Sequence, residues 1–165
     1  MDLRRLMWSE YLGFAGSLVL FGSLFMTWWS TSCSSLNPAT PPGCNTNSKL
    51  NGMVGDFNAF DTYNILAYVL VLACIAPFVL GWIIARGHKL TWRPGEITMI
   101  VGMLAAALIL MNGIILGKPG NNGGGGGLSF GPGYWIGLVG GLMILAGGVI
   151  RQAVGGRTRK PPGVM

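Results

Sequence analysis

The side chains with chemical potential are few and scattered. Cys33 and Cys44 stand with ten residues between them in a segment rich in Ser, Asn, Thr and Pro. On an oxidising side of a membrane, two thiols in such a loop tend to pair. Closing so short a loop is worth about 3 kcal/mol in the chain-entropy model. The expected chemistry is a structural disulfide. A redox pair and free thiols are the alternatives, although membrane thiol oxidoreductases usually carry Cys-x-x-Cys. Cys74 lies inside an apolar run without a sequence partner and reads as a small apolar filler. His88 is the single histidine, beside Arg86 and Lys89, and supplies neither a metal cluster nor a triad. The glycine run Gly123–Gly127 formally satisfies Gly-x-Gly-x-x-Gly but follows no buried strand, so it reads as a tether. The acids Glu10 and Asp61 stand next to apolar runs. Asn112 is the one strongly polar side chain well inside a run, with an interhelical hydrogen bond as the ordinary expectation and a polar pathway as the sharper one. These residues suggest no catalytic set, no cofactor and no metal site, and the chain reads as non-enzymatic.

What must position them is a membrane architecture. The chain has 165 residues, 51% hydrophobic and only 10% charged, against roughly 25% charged in soluble domains. Its mean hydropathy is +0.54. Four apolar stretches without charge run at about 11–29, 64–85, 97–117 and 133–150. About 20 apolar residues at roughly 1.5 Å rise cross a hydrocarbon layer of about 30 Å. A lipid-embedded run must satisfy its own backbone, and the alternation of a membrane barrel is absent, so each is expected to be a helix. The fold class expected is an all-α integral membrane bundle of four transmembrane helices, forming one domain over 1–154 with a basic, disordered tail at 155–165. The first run is longer than the roughly 7–15 residues of a signal core, so it is expected to be retained.

Basic residues orient this bundle. Arg4, Arg5, Arg86, Lys89, Arg93, Arg151, Arg157, Arg159 and Lys160 flank one side, and only Lys49 and Lys118 the other. The positive-inside rule then puts both termini in the cytoplasm and the cysteine segment outside. The net charge of +6 is a topology signal on this reading, not a nucleic-acid footprint. Trp28, Trp29, Tyr63, Tyr134 and Trp135 would form the outer aromatic belt, and Trp8, Tyr11, Trp82 and Trp92 the inner one. In the long outer segment the front half reads as loop, Met53, Val54, Phe57 and Phe60 are expected to fold back on the membrane face, and Asp61 suits the N-cap of the second span.

Small residues carry the packing signal. Gly133, Gly137 and Gly141 recur every four residues in the last span, with Gly140, Gly147 and Gly148 nearby. Gly102 with Ala106, Gly113 with Gly117, and Gly13 with Ser17 repeat the spacing. Such ridges let helix backbones approach closely. They can serve packing within one chain or a face for self-association. The last span holds more glycine than one internal contact needs, which points to some use of an outer face.

Two resemblances rest on particular residues. Trp28-Trp29 closing the first span, Phe57-Asn58-Ala59-Phe60, Arg93-Pro94 and the Gly-rich last span resemble a type of small four-span membrane protein of actinobacteria. That resemblance implies a bacterial plasma membrane and no particular activity. The spacing Trp29-x3-Cys33-x10-Cys44 after a first span is similar to the claudin-like group, without the Gly-Leu that precedes the tryptophan there and in a segment short for that group's sheet. The function expected is a structural or accessory component of a membrane assembly, or a self-associating oligomer. A small channel or transporter acting as an oligomer is the alternative. Membrane lipids and a second copy or other membrane proteins are the expected partners, and nucleic acid is not.

Overall fold

The computed structural model describes residues 6–31, 55–86, 94–116 and 128–155. Cys33, Cys44, His88, the glycine run, most of the basic flanks and the C-terminal tail lie outside the described residues. In chain order the elements are α1 (Trp8–Ser23), β1 (Trp29–Thr31), β2 (Gly55–Phe57), α2 (Ala59–Thr62), α3 (Leu66–Ala85), α4 (Pro94–Leu110), which continues as a π turn (Met111–Ile115), β3 (Leu128–Phe130) and α5 (Pro132–Gly155). Three helices are long and apolar enough to cross a membrane: Leu66–Ala85, Gly95–Ile115 and Pro132–Val154. This fits a multi-pass membrane protein.

The first apolar run behaves differently. α1 has 16 residues, so it reaches only about 24 Å at 1.5 Å per residue. It ends well before Trp29 because the chain satisfies its backbone another way. Leu24, Phe25 and Met26 close a tight turn with N–H bonds to Phe21, Gly22 and Ser23 carbonyls at 3.2, 3.3 and 3.1 Å. The Trp28 indole N–H then donates to the Ser23 carbonyl at 2.7 Å, capping the helix end. The apolar run continues, but as turn and strand.

Three short strands follow from this. β1 lies between β2 and β3 and pairs antiparallel with both, with Trp29 opposite Phe57 and Phe130. Composition reads as loop here, because three-residue strands leave almost no alternation to detect. Gly55 enters β2 at φ +138°, a conformation that only glycine adopts freely. Asp61 does not cap α3. Asn58 is the N-cap of α2, its Oδ1 accepting from the Phe60 and Asp61 N–H groups at 2.8 and 2.9 Å, and Asp61 returns a bond from the Asn58 N–H. The pair is a capping box on a four-residue helix. α3 starts at Leu66 with no side-chain cap.

The long helices pack around α5. Glycines on two of its faces lie against α1 and α4. α3 closes onto α1 through the stacked rings of Phe14 and Phe78, 5.1 Å apart. It meets α4 through a core that includes Leu70, Ala73, Cys74, Ala105 and Ile109. Pro77 sits within α3 and is buried on the side that faces Gly13 of α1.

Candidate functional site

The most elaborated region is the sheet end, where α1 and α5 meet the π turn of α4. It is assembled from aromatic side chains. Trp28, Trp29 and Tyr134 have no exposed surface. They are core residues rather than members of an interfacial belt, which corrects the sequence reading. Burial demands a partner for each polar tip. Trp28 caps α1 as described, and the Trp29 indole donates to the Tyr63 hydroxyl at 3.1 Å. The Tyr63 hydroxyl donates in turn to the Asn112 carbonyl at 2.9 Å, and the Tyr134 hydroxyl to the Ile109 carbonyl at 2.9 Å. Trp28 meets Tyr63 and Tyr134 edge to face, with centroids 6.2 and 5.7 Å apart. Burial pushes the Tyr63 phenol above its ordinary value, with the Trp29 indole N–H acting in the opposite direction. The Tyr63 phenol is therefore held as a donor.

Their acceptors lie where the helical ladder changes spacing. Asn112 has φ −85° and ψ 16°, outside the helical region, and the Leu116 N–H bonds five residues back to Met111 at 2.9 Å. Such a change disturbs the regular partners of nearby carbonyls. Tyr63 and Tyr134 bind two carbonyls of this stretch. Gly113 makes room: a Cβ there would collide with the Tyr134 ring and hydroxyl. The Asn112 side chain does not reach another helix. Its Nδ2 donates to the Leu108 carbonyl of its own helix at 2.9 Å, and its backbone carbonyl is what accepts the Tyr63 hydroxyl. The expectation of an interhelical side-chain bond is corrected accordingly.

The glycines picked out from spacing divide between two contacts. At Gly133 a Cβ would lie 2.7 Å from Trp28 Cδ1, and at Gly137 2.8 Å from Ser23 Oγ, so both face the end of α1. Gly141 faces Ala106 of α4, 3.3 Å from its backbone nitrogen. Gly102 abuts Leu145 backbone atoms of α5. Gly102, Ala106 and Gly141 are thus brought together, Gly133 and Gly137 form a second group, and Asn112 stands apart beside Tyr63. The tightest α1–α5 pair is Gly16 with Gly140, each with a Cβ position 2.8–2.9 Å or less from the other helix's backbone. Gly147 and Gly148 extend the two contacts towards Ser9 and Met99. The glycine surplus of α5 is explained by two internal contacts, so it does not itself require an outer face.

The opposite end holds an ion pair that sequence reasoning missed. Arg151 Nη2 lies 3.4 Å from Glu10 Oε1 and joins the last turns of α5 to the first turn of α1. Residues at opposite ends of the chain give no local signal of such a meeting. Trp8, Tyr11 and Trp82 are exposed at this end, as belt residues would be, and Arg86 stacks on Trp82 at 4.1 Å.

Between α3 and α4 the surface opens into an apolar groove of about 270 Å³, lined among others by Val69, Leu72, Ala73, Val101, Leu104 and Leu108. Leu72 and Leu104 are 66% and 52% exposed. Among the described residues the arrangement offers packing surfaces and fixed hydrogen-bond donors, and no aligned nucleophile and base. Among the described residues no group of three or more His, Cys, Asp or Glu could hold a metal ion. Comparison with family models, curated proteins and solved structures returns no significant match for this chain.

Proposed function

We propose that this chain is a non-enzymatic integral membrane protein that serves as a structural or accessory component of a membrane assembly, by self-association or by joining other membrane proteins. The observation that carries the reading is the unequal use of helix surfaces. α1 and α5 spend their small-residue faces within the chain, whereas α3 and α4 leave an apolar groove flanked by exposed Leu72, Ile75, Met103 and Leu104. Large helix-lined apolar surfaces in lipid gain little from hydrophobic burial and associate through shape fit. The groove supplies that shape. In this reading all four long helices lie in the bilayer of a bacterial plasma membrane, α1 short and anchored by its aromatic end. Both termini face the cytoplasm, and a Cys33–Cys44 disulfide closes the outer segment beyond the small sheet.

The second reading, a small oligomeric channel or transporter, is favoured by one feature. π turns recur at functional sites, and this one contains Asn112, at the sheet end of α4. Its interhelical tyrosine bonds weigh towards a locked element. Purification in mild detergent followed by mass measurement tests the proposal. A species heavier than the 17.5 kDa chain, either a multiple or a defined complex, is expected. A lone chain would refute it.

A further inference from the structure

We propose that a single ordered water molecule is built in where α1, α3 and α5 converge at the end opposite the sheet, held by Ser9 and Glu10. A cavity of about 10 Å³ lies there, lined by Ser9, Glu10, Pro77, Gly81, Thr98 and Arg151 among others. That is about the space one water needs. Two polar atoms at its wall, Ser9 Oγ and Glu10 Oε1, are shielded from solvent and have no hydrogen-bond partner. Ser9 as a whole is 1% exposed. Buried polar atoms in folded proteins are almost always partnered, by protein or by water, and cavities that stay empty are apolar.

The chemistry of the wall selects the occupant. The site offers a hydroxyl, which donates or accepts, and a carboxylate oxygen, which only accepts. The other carboxylate oxygen already accepts the Met7 N–H at 2.8 Å. Arg151 stands 3.4 Å from Oε1 and supplies the positive charge, so a metal cation meets repulsion here. The Glu10 carboxylate repels an anion in the same way. A neutral molecule the size of one water, donating to Glu10 Oε1 and accepting from the Ser9 hydroxyl, satisfies both orphan atoms. It also completes the carboxylate's shell beside the guanidinium, so the ion pair that joins the first and last long helices is hydrated from within. Pro77 and Gly81 line the site from the second half of α3, and the Phe14 ring packs into the space that a Gly81 side chain would occupy.

The test uses the full chain in lipid discs. A high-resolution density map should show one peak within about 2.5–3.2 Å of both Ser9 Oγ and Glu10 Oε1. Absence of that peak, with the Ser9 hydroxyl turned to a backbone carbonyl, overturns the proposal. An infrared measurement provides the second readout. An internal water should give an O–H stretching band that shifts in water enriched with heavy oxygen. The band should be lost in Ser9→Ala and kept in Ser9→Thr, which retains the hydroxyl. A band that persists unchanged in Ser9→Ala overturns the assignment, as does its absence from the unaltered chain.

Discussion

Gly140→Ala probes the close backbone contact between α1 and α5. The added Cβ would sit 2.6 Å from the Leu20 backbone nitrogen and 2.9 Å from both Leu20 Cα and the Gly16 carbonyl oxygen, against 3.4–4 Å for ordinary contact. All three obstacles are backbone, so no rotamer change relieves them. α1 and α5 must part by about 1 Å, and a gap of 0.5–1 Å forfeits about a quarter to a half of each dispersion contact along the shared face. Overpacking of this kind costs about 1–3 kcal/mol, and the rigidity of the obstacles places Gly140 at the upper end. Alanine returns up to about 1 kcal/mol in helix propensity. The net expectation is a loss of about 2 kcal/mol. Gly22→Ala gives the opposite sign, because nothing lies within 4 Å of its Cβ position and only the propensity gain remains. Gly141→Ala should fall near zero, since its nearest neighbour is at 3.3 Å and must yield only slightly. Unfolding of the detergent-solubilised chain by titration with a denaturing detergent, followed by tryptophan fluorescence, reads all three. A Gly140→Ala variant as stable as the parent, or a costly Gly22→Ala, would refute the interlocked α1–α5 contact.

Tyr134→Phe keeps the ring and removes the donor to the Ile109 carbonyl, so the same titration should show a loss of about 1–3 kcal/mol without a change in size; no loss would mean that the π turn does not depend on this bond. A reporter active only in the cytoplasm should work after Met165 and fail when inserted at Gly124, and the reverse result would invert the proposed topology. Denatured, unreduced protein should offer only Cys74 to a thiol reagent, and the folded protein none, since Cys74 is 4% exposed; three reactive thiols after denaturation would exclude the Cys33–Cys44 bond.

The apolar stretches that become α3, α4 and α5 are legible in sequence because length and absence of charge suffice to mark them. Small residues signal close helix approach: Gly141 lies against Ala106, and Gly102 against Leu145. Which helix each glycine faces is not legible, since four-residue spacing names a face and not its neighbour. That is why the glycine excess of α5 suggests an outer surface when it serves two inner ones. The end of α1 is hidden by its composition. Leu24 to Trp29 is as apolar as the helix before it, and only the capping bond from Trp28 and the strand pairing of Trp29 take the chain out of helical form. Tryptophan near a span end suits both a membrane belt and a buried core, and the choice turns on partners such as Tyr63 and Tyr134 that arrive from distant segments. Glu10 and Arg151 read singly as interfacial charges, and their pairing follows only from the adjacency of the first and last long helices.

In the proposed assembly, α3 and α4 rather than α5 carry the surface that meets a partner. Photo-crosslinking in native membranes tests it most directly, with a photoreactive side chain placed at Leu104 in the groove or at Leu18 on α1, each exposed. A discrete protein adduct is expected from Leu104, a dimer of the 17.5 kDa chain or a defined larger complex, and no protein adduct from Leu18. Only uncrosslinked chain from Leu104, or an adduct from Leu18 alone, would contradict it.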